Sequence, residues 1–319
     1  MGIVVVLGSL ITDLVARAPR MPHAGESLIG DDFNIFLGGK GINQAIAASR
    51  LGAEVTLIGR VGSDAFGDGF FTALTQEGID SSYVERDANT GTGASVIVIA
   101  SDSGQNAIVA NPRANMAVPA ETVVDALHAT RQKQQSSQTP SVFLTQCETS
   151  RISFMTGLEQ ARSMGMMTIL NAAPIPREPL EDKIFTLTDI LIVNEVEAAA
   201  LSNIAVTSVE AARSAAESLL ARGPQHVIVT LGAQGSLWAE RANGDGGAHY
   251  QMSPAFPVHA VDATAAGDSF CGALAASLAA GVTLPNALRR ASAAGAIAAS
   301  RHGAIAALPF AADIEALLS

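Results

Sequence analysis

Cysteine is nearly absent. Two thiols, Cys147 and Cys271, in 319 residues cannot build a disulfide framework or a four-ligand zinc site. Reduced thiols in a cytosolic protein are the expectation. Aromatic residues make up only 4% of the chain and charged residues 15%. Basic runs are missing beyond pairs such as Arg289-Arg290, which argues against a nucleic-acid footprint. The balance is acidic, 19 Lys and Arg against 30 Asp and Glu, for a formal charge of −11. An anionic ligand would therefore have to be held by local cationic or backbone devices. The longest apolar stretch, residues 270–282, is too short to span a membrane. The apolar run Ile3–Leu7 has no basic region before it and is too short for a signal peptide. A soluble cytoplasmic protein is expected.

What is present is apolar surface. Hydrophobic residues reach 48%, much of it alanine, which excludes a disordered chain and points to closely packed helices. Short β-branched runs alternate with Ala-rich helical patterns along most of the chain. Strands are expected at residues 3–7, 54–58, 142–145, 167–170, 190–193 and 227–230, the last followed by a hairpin over 235–252 that turns at 243–247. Helices are expected at 41–50, 65–77, 122–129, 152–163, 195–202, 209–222, 266–280, 285–301 and 312–318, with a polar loop at 131–140. Strands without alternation, separated by helices, imply an α/β fold with a mainly parallel sheet covered on both faces. Residues 13–36 and 90–109 break the rhythm. They lack a helical period and carry Gly and Pro, so they read as a small second sheet, a flap of the kind that covers a ligand.

Four windows carry chemistry. In Gly38-Gly39-Lys40-Gly41-Ile42-Asn43-Gln44, three glycines let backbone approach a ligand, Lys40 adds one charge and Asn43 falls in the first turn of a helix. It is equally a glycine-rich turn into a helix, and it is no Walker A loop. In Asp262-Ala263-Thr264-Ala265-Ala266-Gly267-Asp268, small residues expose successive N–H groups at a helix start, a ready anion site. Asp268 beside that site reads either as an N-cap or as a base for a hydroxyl attacking a phosphoryl group. Asn194 and Glu197 open a helix at a strand's C-terminal edge and suit Mg²⁺ with its waters, or a plain cap. Thr230-Leu231-Gly232-Ala233-Gln234-Gly235 could cradle a nucleotide, although many hairpin entries look alike.

Other patterns fail. Gly91-Thr92-Gly93 lacks the third glycine and the helix of a dinucleotide fingerprint, and Gly8 has no glycine partner. The six histidines show no metal spacing, and no Gly-x-Ser-x-Gly elbow exists.

Together, the four ordered windows resemble the ribokinase branch of the PfkB carbohydrate kinases, from Val4 to the C-terminus. The resemblance implies a single ribokinase-like domain over residues 1–319, with a discontinuous β lid at roughly 10–37 and 89–113 that often builds a dimer interface. It implies ATP and Mg²⁺, with transfer to the primary hydroxyl of a sugar. Asp268 becomes the catalytic base, and the amides of Ala265, Ala266 and Gly267 become the anion hole. Asn194 and Glu197 match the motif organising Mg²⁺ and phosphate, Glu197 through water, and Thr230, Gly232 and Gly235 match the nucleotide turn. Asp13, Gly39, Lys40, Asn43 and Glu148 match sugar-contacting positions. Asp262, Thr264, Ala298, Arg301 and Gly303 match a monovalent-cation site, with Ala307 where ribokinases often offer a serine, so K⁺ activation is an open expectation.

One departure concerns the sugar. Ribokinases usually place Asn two residues before the lid aspartate, and here that residue is Ile11, as in deoxyribose kinases. Ribose and 2-deoxyribose are the competing pentoses, with 2-deoxyribose favoured. A nucleoside or other carbohydrate kinase is a second reading, for which Phe33, Phe36 and Tyr83 are the aromatics available. A catalytically silent sugar-binding regulator is a third, but it would be expected to lose the base or the small residues around it.

Overall fold

Ile3–Leu7 (β1) reads Ile-Val-Val-Val-Leu and is buried at every position. A strand with no polar face has to be covered from both sides. The computed structural model, which describes residues 2–134, 140–242 and 247–319, supplies both covers.

The strands continue in chain order as β2 (Ile11–Ala18), β3 (Asp32–Gly38), β4 (Glu54–Gly62), β5 (Asp80–Asp87), β6 (Gly93–Ala100) and β7 (Asn106–Asn111). Then come β8 (Ser141–Gln146), β9 (Met167–Asn171), β10 (Ile190–Asn194), β11 (His226–Thr230), β12 (Ser236–Arg241) and β13 (Ala248–Ser253). The first helices are α1 (Lys40–Arg50), α2 (Ala65–Gln76), α3 (Ala120–Gln134), α4 (Arg151–Ser163) and α5 (Asp182–Thr186). They are followed by α6 (Glu195–Ser202), α7 (Val209–Ala221), α8 (Ala266–Ala279), α9 (Leu284–Ala299) and α10 (Ala311–Leu318).

Nine strands form one sheet in the order β13-β12-β11-β10-β9-β8-β1-β4-β5, parallel except for the β11-β12-β13 meander. Val4 and Val6 of β1 face a core built with α1, α2, α8, α9 and α10. Ile3, Val5 and Leu7 face a second core built with α3 to α7. The alternation along β1 thus divides the molecule into three layers. The second sheet, β3-β2-β6-β7, stands apart from the first. β2 pairs with β6 in parallel, with Asp13 opposite Ser95, and antiparallel with β3, with Asp13 opposite Phe36.

One expected helix is longer than read, and two elements were not expected. The helix expected at 122–129 runs from Ala120 to Gln134, so the first part of the polar loop at 131–140 is helical. Its last turn is polar because it faces solvent, and Arg131 and Lys133 there complement the negative end of the helix dipole. β5 and α5 had no apolar period to reveal them. β5 is a largely polar edge strand, and α5 is a single short turn buried through Ile184 and Phe185. The expected hairpin consists of β12 and β13, and residues 243–246 of its turn lie outside the described residues.

Candidate active site

Five parallel strands end at the same edge, and polar residues begin there. Ser9 follows β1, Glu148 follows β8, Asn171 closes β9, Asn194 closes β10 and Thr230 closes β11. The register sets Gln146 beside Asn171 and Asn194 beside Thr230. Open α/β sheets bind ligands at this carboxyl edge.

α8 starts at that edge. Ala265, just before it, holds a left-handed conformation at φ 58°, a backbone state that few non-glycine residues adopt and that only Arg113 and Asn203 share among the described residues. The turn aims the start of the helix into a cavity of about 220 Å³ lined by Lys40, Asn171, Asn194, Glu197, Thr230, Ala265, Gly267, Asp268 and Cys271, among others. The N–H of Ala266 donates to the carbonyl of Ala263 at 3.2 Å. Gly267 and Asp268, in the first turn, have N–H groups with no helical partner. Asp268 does not cap α8 through its side chain. Its carboxylate is buried and accepts from two amides instead, Gln44 Nε2 on Oδ1 at 2.9 Å and Asn43 Nδ2 on Oδ2 at 3.0 Å.

Those amides arrive because α1 packs tightly on α8. Gly41 fits against Gly8 at the end of β1, where a β-carbon on Gly8 would lie 2.4 Å from the Gly41 Cα and 2.3 Å from Gln146 Oε1. Gly8, featureless as a sequence motif, is the space that seats α1. Gln44 itself is fully buried. It accepts from Gln146 Nε2 at 2.7 Å and donates to Asn171 Oδ1 at 3.1 Å as well as to Asp268. Gln146, Asn171 and the role of Gln44 escaped the sequence reading. The available signal was a carboxamide closing a buried strand, seen in both Gln146 and Asn171.

Asn194 and Glu197 make a complete capping box. Asn194 Oδ1 accepts from the Glu197 N–H at 2.8 Å, and Glu197 Oε2 accepts from the Asn194 N–H at 2.9 Å. The box uses one oxygen of each side chain, and both residues still line the cavity. Burial above all raises the Glu197 carboxyl above its usual range. Lys40 lines the same cavity. Burial alone would lower its ammonium, but Asp268, Glu148 and Glu197 outweigh this and raise it. Cys271 is no competing nucleophile, since burial first and the Asp268 charge second push its thiol well above the ordinary range. Burial likewise pushes the Cys147 thiol up to about 12.

A second group gathers at the root of the small sheet. Glu148 Oε2 accepts from the backbone N–H of Lys40 at 3.0 Å and from the Ser9 hydroxyl. Burial raises the Glu148 carboxyl, with Lys40 and Ser9 offsetting part of the effect. Asp13 accepts from the Ser95 hydroxyl, and burial raises its carboxyl too. A β-carbon on Gly38 would lie 2.3 Å from Asp13 Oδ2, so that glycine makes room for the carboxylate. Ile11 is buried, opposite Gly38 and on the Asp13 face of β2, and Gly39 immediately precedes α1. Among the aromatics, Phe36 shares the Asp13 face, Phe33 lies on the other face, and Tyr83 packs into the second core on β5.

Two further segments complete the edge. Gly232 and Gly235 turn the chain after Thr230 at φ 52° and 92°. Asp262 ties two loops together, accepting from the Thr264 N–H and from the Gly303 N–H, each at 2.9 Å. Burial favours its neutral form, but these contacts win and hold the carboxyl below its usual range. The Ala298 carbonyl accepts from the Arg301 N–H at 3.1 Å in the adjoining helix end, and Ala307 is buried nearby in sequence.

Comparison with known proteins agrees with this arrangement. The profile of the pfkB family carbohydrate kinases matches residues 1–311. Ribokinase of Mus musculus is 37% identical over 319 residues, spanning 99% of this chain and 94% of the mouse protein. Deoxyribokinase of Salmonella typhimurium is 34% identical over 272 residues, spanning 85% of this chain and 84% of that protein. Among solved structures, Arabidopsis thaliana ribokinase complexed with ribose and ATP superimposes with a TM-score of 0.87 at 27% identity, over 99% of this chain and 98% of that one. A carboxylate at a helix start, an N–H-lined cavity at the sheet edge and a family match across nearly the whole chain have one common explanation. The chain belongs to the pfkB family of carbohydrate kinases and is an ATP-dependent kinase.

Proposed function

We propose that the chain transfers the γ-phosphoryl group of ATP to the 5-hydroxyl of a pentose, D-ribose or 2-deoxy-D-ribose, giving the sugar 5-phosphate and ADP. The observation that carries this reading is Asp268, buried at the start of α8, lining the cavity and held by two amides. Its carboxylate takes the proton of the primary hydroxyl as that oxygen attacks the γ-phosphorus in line and the bond to the β-phosphate oxygen breaks. Of the three amides expected in the anion hole, those of Ala265 and Gly267 stay in the proposal, while the Ala266 N–H is taken by the Ala263 carbonyl and the Asp268 N–H replaces it. With the Lys40 ammonium they stabilise charge on the transferring group. Thr230, Gly232 and Gly235 hold the nucleotide, and Asp13 and Glu148 accept sugar hydroxyls from two sides.

The donor set suits Mg²⁺. Among the described residues, no group of three or more His, Cys, Asp and Glu could hold a metal ion. A metal here would rest mainly on phosphates and water, with Glu197 and Asn194 orienting its shell. Bound Mg²⁺ would neutralise phosphate charge. For K⁺, Asp262 with the carbonyls of Thr264, Ala298, Arg301 and Gly303 offers an all-oxygen set, and the Gly303–Asp262 hydrogen bond joins the two loops. A rate unchanged between K⁺-free and K⁺-containing buffer excludes that role.

Ile11 favours 2-deoxyribose, because an apolar side chain leaves a buried 2-hydroxyl without a partner, at a cost of about 1–3 kcal/mol. The small sheet is the lid, and it is the dimer interface as well. Ile35, Leu14, Val96 and Val109 stand side by side across all four of its strands on the face opposite Asp13. Three of them are 49–64% exposed, an apolar row that a second copy would cover.

The test is Asp268→Asn, which keeps the shape of the side chain but cannot take a proton. We expect kcat with either pentose to fall by at least about 10²-fold, with ATP binding measured by calorimetry retained. A variant with near wild-type kcat overturns the mechanism.

A further inference from the structure

Removing the proton of the hydroxyl requires only a carboxylate, yet Asp268 sits at the end of a chain of buried amides. Gln44 and Gln146 are completely buried and Asn171 is 8% exposed. Buried carboxamides demand partners that alanine or leucine would not. Here every link has a direction. Gln146 Nε2 donates to Gln44 Oε1. With its oxygen so engaged, Gln44 turns its Nε2 hydrogens toward Asn171 Oδ1 and Asp268 Oδ1. The reverse orientation would set Gln44 Oε1 against the carboxylate and two NH₂ groups against each other. Asn171 is oriented in turn by donating to the carbonyl of Ile192 at 3.3 Å.

We infer that Gln44, locked in orientation by Gln146, is a positioning residue for Asp268. It holds Oδ1 while Asn43 holds Oδ2, so the carboxylate keeps one plane as the hydroxyl approaches, and each oxygen retains a lone pair for the proton. The inference rests on the reading of Asp268 as the base. Other charged or titratable groups also face Asp268: Lys40 on α1, Glu148 after β8, Glu197 on α6 and Cys271 on α8. The variants below leave all four in place.

The experiment uses the full chain and compares Gln44→Met with Gln146→Met, a pair that removes the donor and its lock separately. Gln44→Met lowers kcat on the order of 10- to 100-fold, with KM for ATP and pentose unchanged. Gln146→Met lowers kcat the same way by less, again with KM unchanged. Gln44→Glu lowers kcat further, since it sets a second carboxylate against the first in place of a donor. Melting midpoints identify any variant that fails to fold, and Gln146→Met decides the matter if Gln44→Met does. Folded variants that keep wild-type kcat, or whose KM for the pentose rises in step with the loss of kcat, overturn the inference. Failure of the base reading is separate and appears as turnover retained by Asp268→Asn.

Discussion

A β-carbon on Gly272 would lie 2.4 Å from the carbonyl oxygen of Gln44 and 2.6 Å from the β-carbon of Ala47. Gly272 is one turn beyond Asp268 on α8, so this close approach of the two helices lies beside the proposed base. Gly272→Ala forces α1 outward and lengthens the amide contacts to Asp268. Overpacking of this kind costs about 1–3 kcal/mol. We expect a lower melting midpoint together with a kcat reduced on the order of 10-fold or more. A variant that is destabilised but turns over normally would separate helix spacing from catalysis.

Ile11 makes the substrate testable. Ile11→Asn supplies an amide at the root of β2, on the face that carries Asp13. If the 2-hydroxyl of ribose lies there, kcat/KM for ribose rises relative to 2-deoxyribose by about 10-fold, the value of one hydrogen bond to a buried partner. Measuring both pentoses with both proteins settles it, and an unchanged ratio removes Ile11 from the specificity argument.

The sequence exposed Asp268 and the start of α8 because small residues before a helix are a local signal, readable within ten positions. The layered sheet was legible for the same reason, since β1 and its parallel neighbours carry their burial in their own composition. The amide chain was not legible. Gln44 and Gln146 are 102 positions apart, and Gln44 and Asp268 are 224 apart. Nothing in either neighbourhood announces the other until Gly8, Gly41 and Gly272 have let the elements close. Asn194 and Glu197 show a different limit. A capping box and a phosphate-site pair share one spelling, and here one pair of side chains forms the capping box while also lining the cavity.

The outer face of the small sheet predicts an assembly. Ile35, Val96 and Val109 are 54%, 49% and 64% exposed, and each belongs to the row that Leu14 joins. Val96→Asp with Val109→Lys places charges where a second copy would bury them. Light scattering should give a dimer for the parent chain and a monomer for the double variant. A monomeric parent at micromolar concentration would leave the row without the partner proposed for it.

With Glu148 in its proposed role, affinity and stability are coupled. Burial raises its carboxyl in the folded protein, against the partial offset from Lys40 and Ser9. For a carboxyl the unfolded chain then loses its proton first. Below about pH 4, near the unfolded value, both states hold the proton and the group costs nothing. As pH rises from there to the folded value, the penalty for keeping a buried charge grows, and above the folded value it is present in full. Glu148→Gln carries no such penalty. The ligand-free variant should therefore melt higher than the parent at pH 7, with the advantage shrinking toward zero as pH falls to about 4. Its KM for the pentose should move the other way, rising by about 10-fold or more, because a neutral amide is a weaker acceptor for a sugar hydroxyl than a carboxylate. Melting curves and initial rates at the two pH values measure both effects on the same protein. A variant no more stable than the parent at pH 7, or one whose advantage persists undiminished at pH 4, would mean that this carboxylate is not held at a cost for the sake of its ligand.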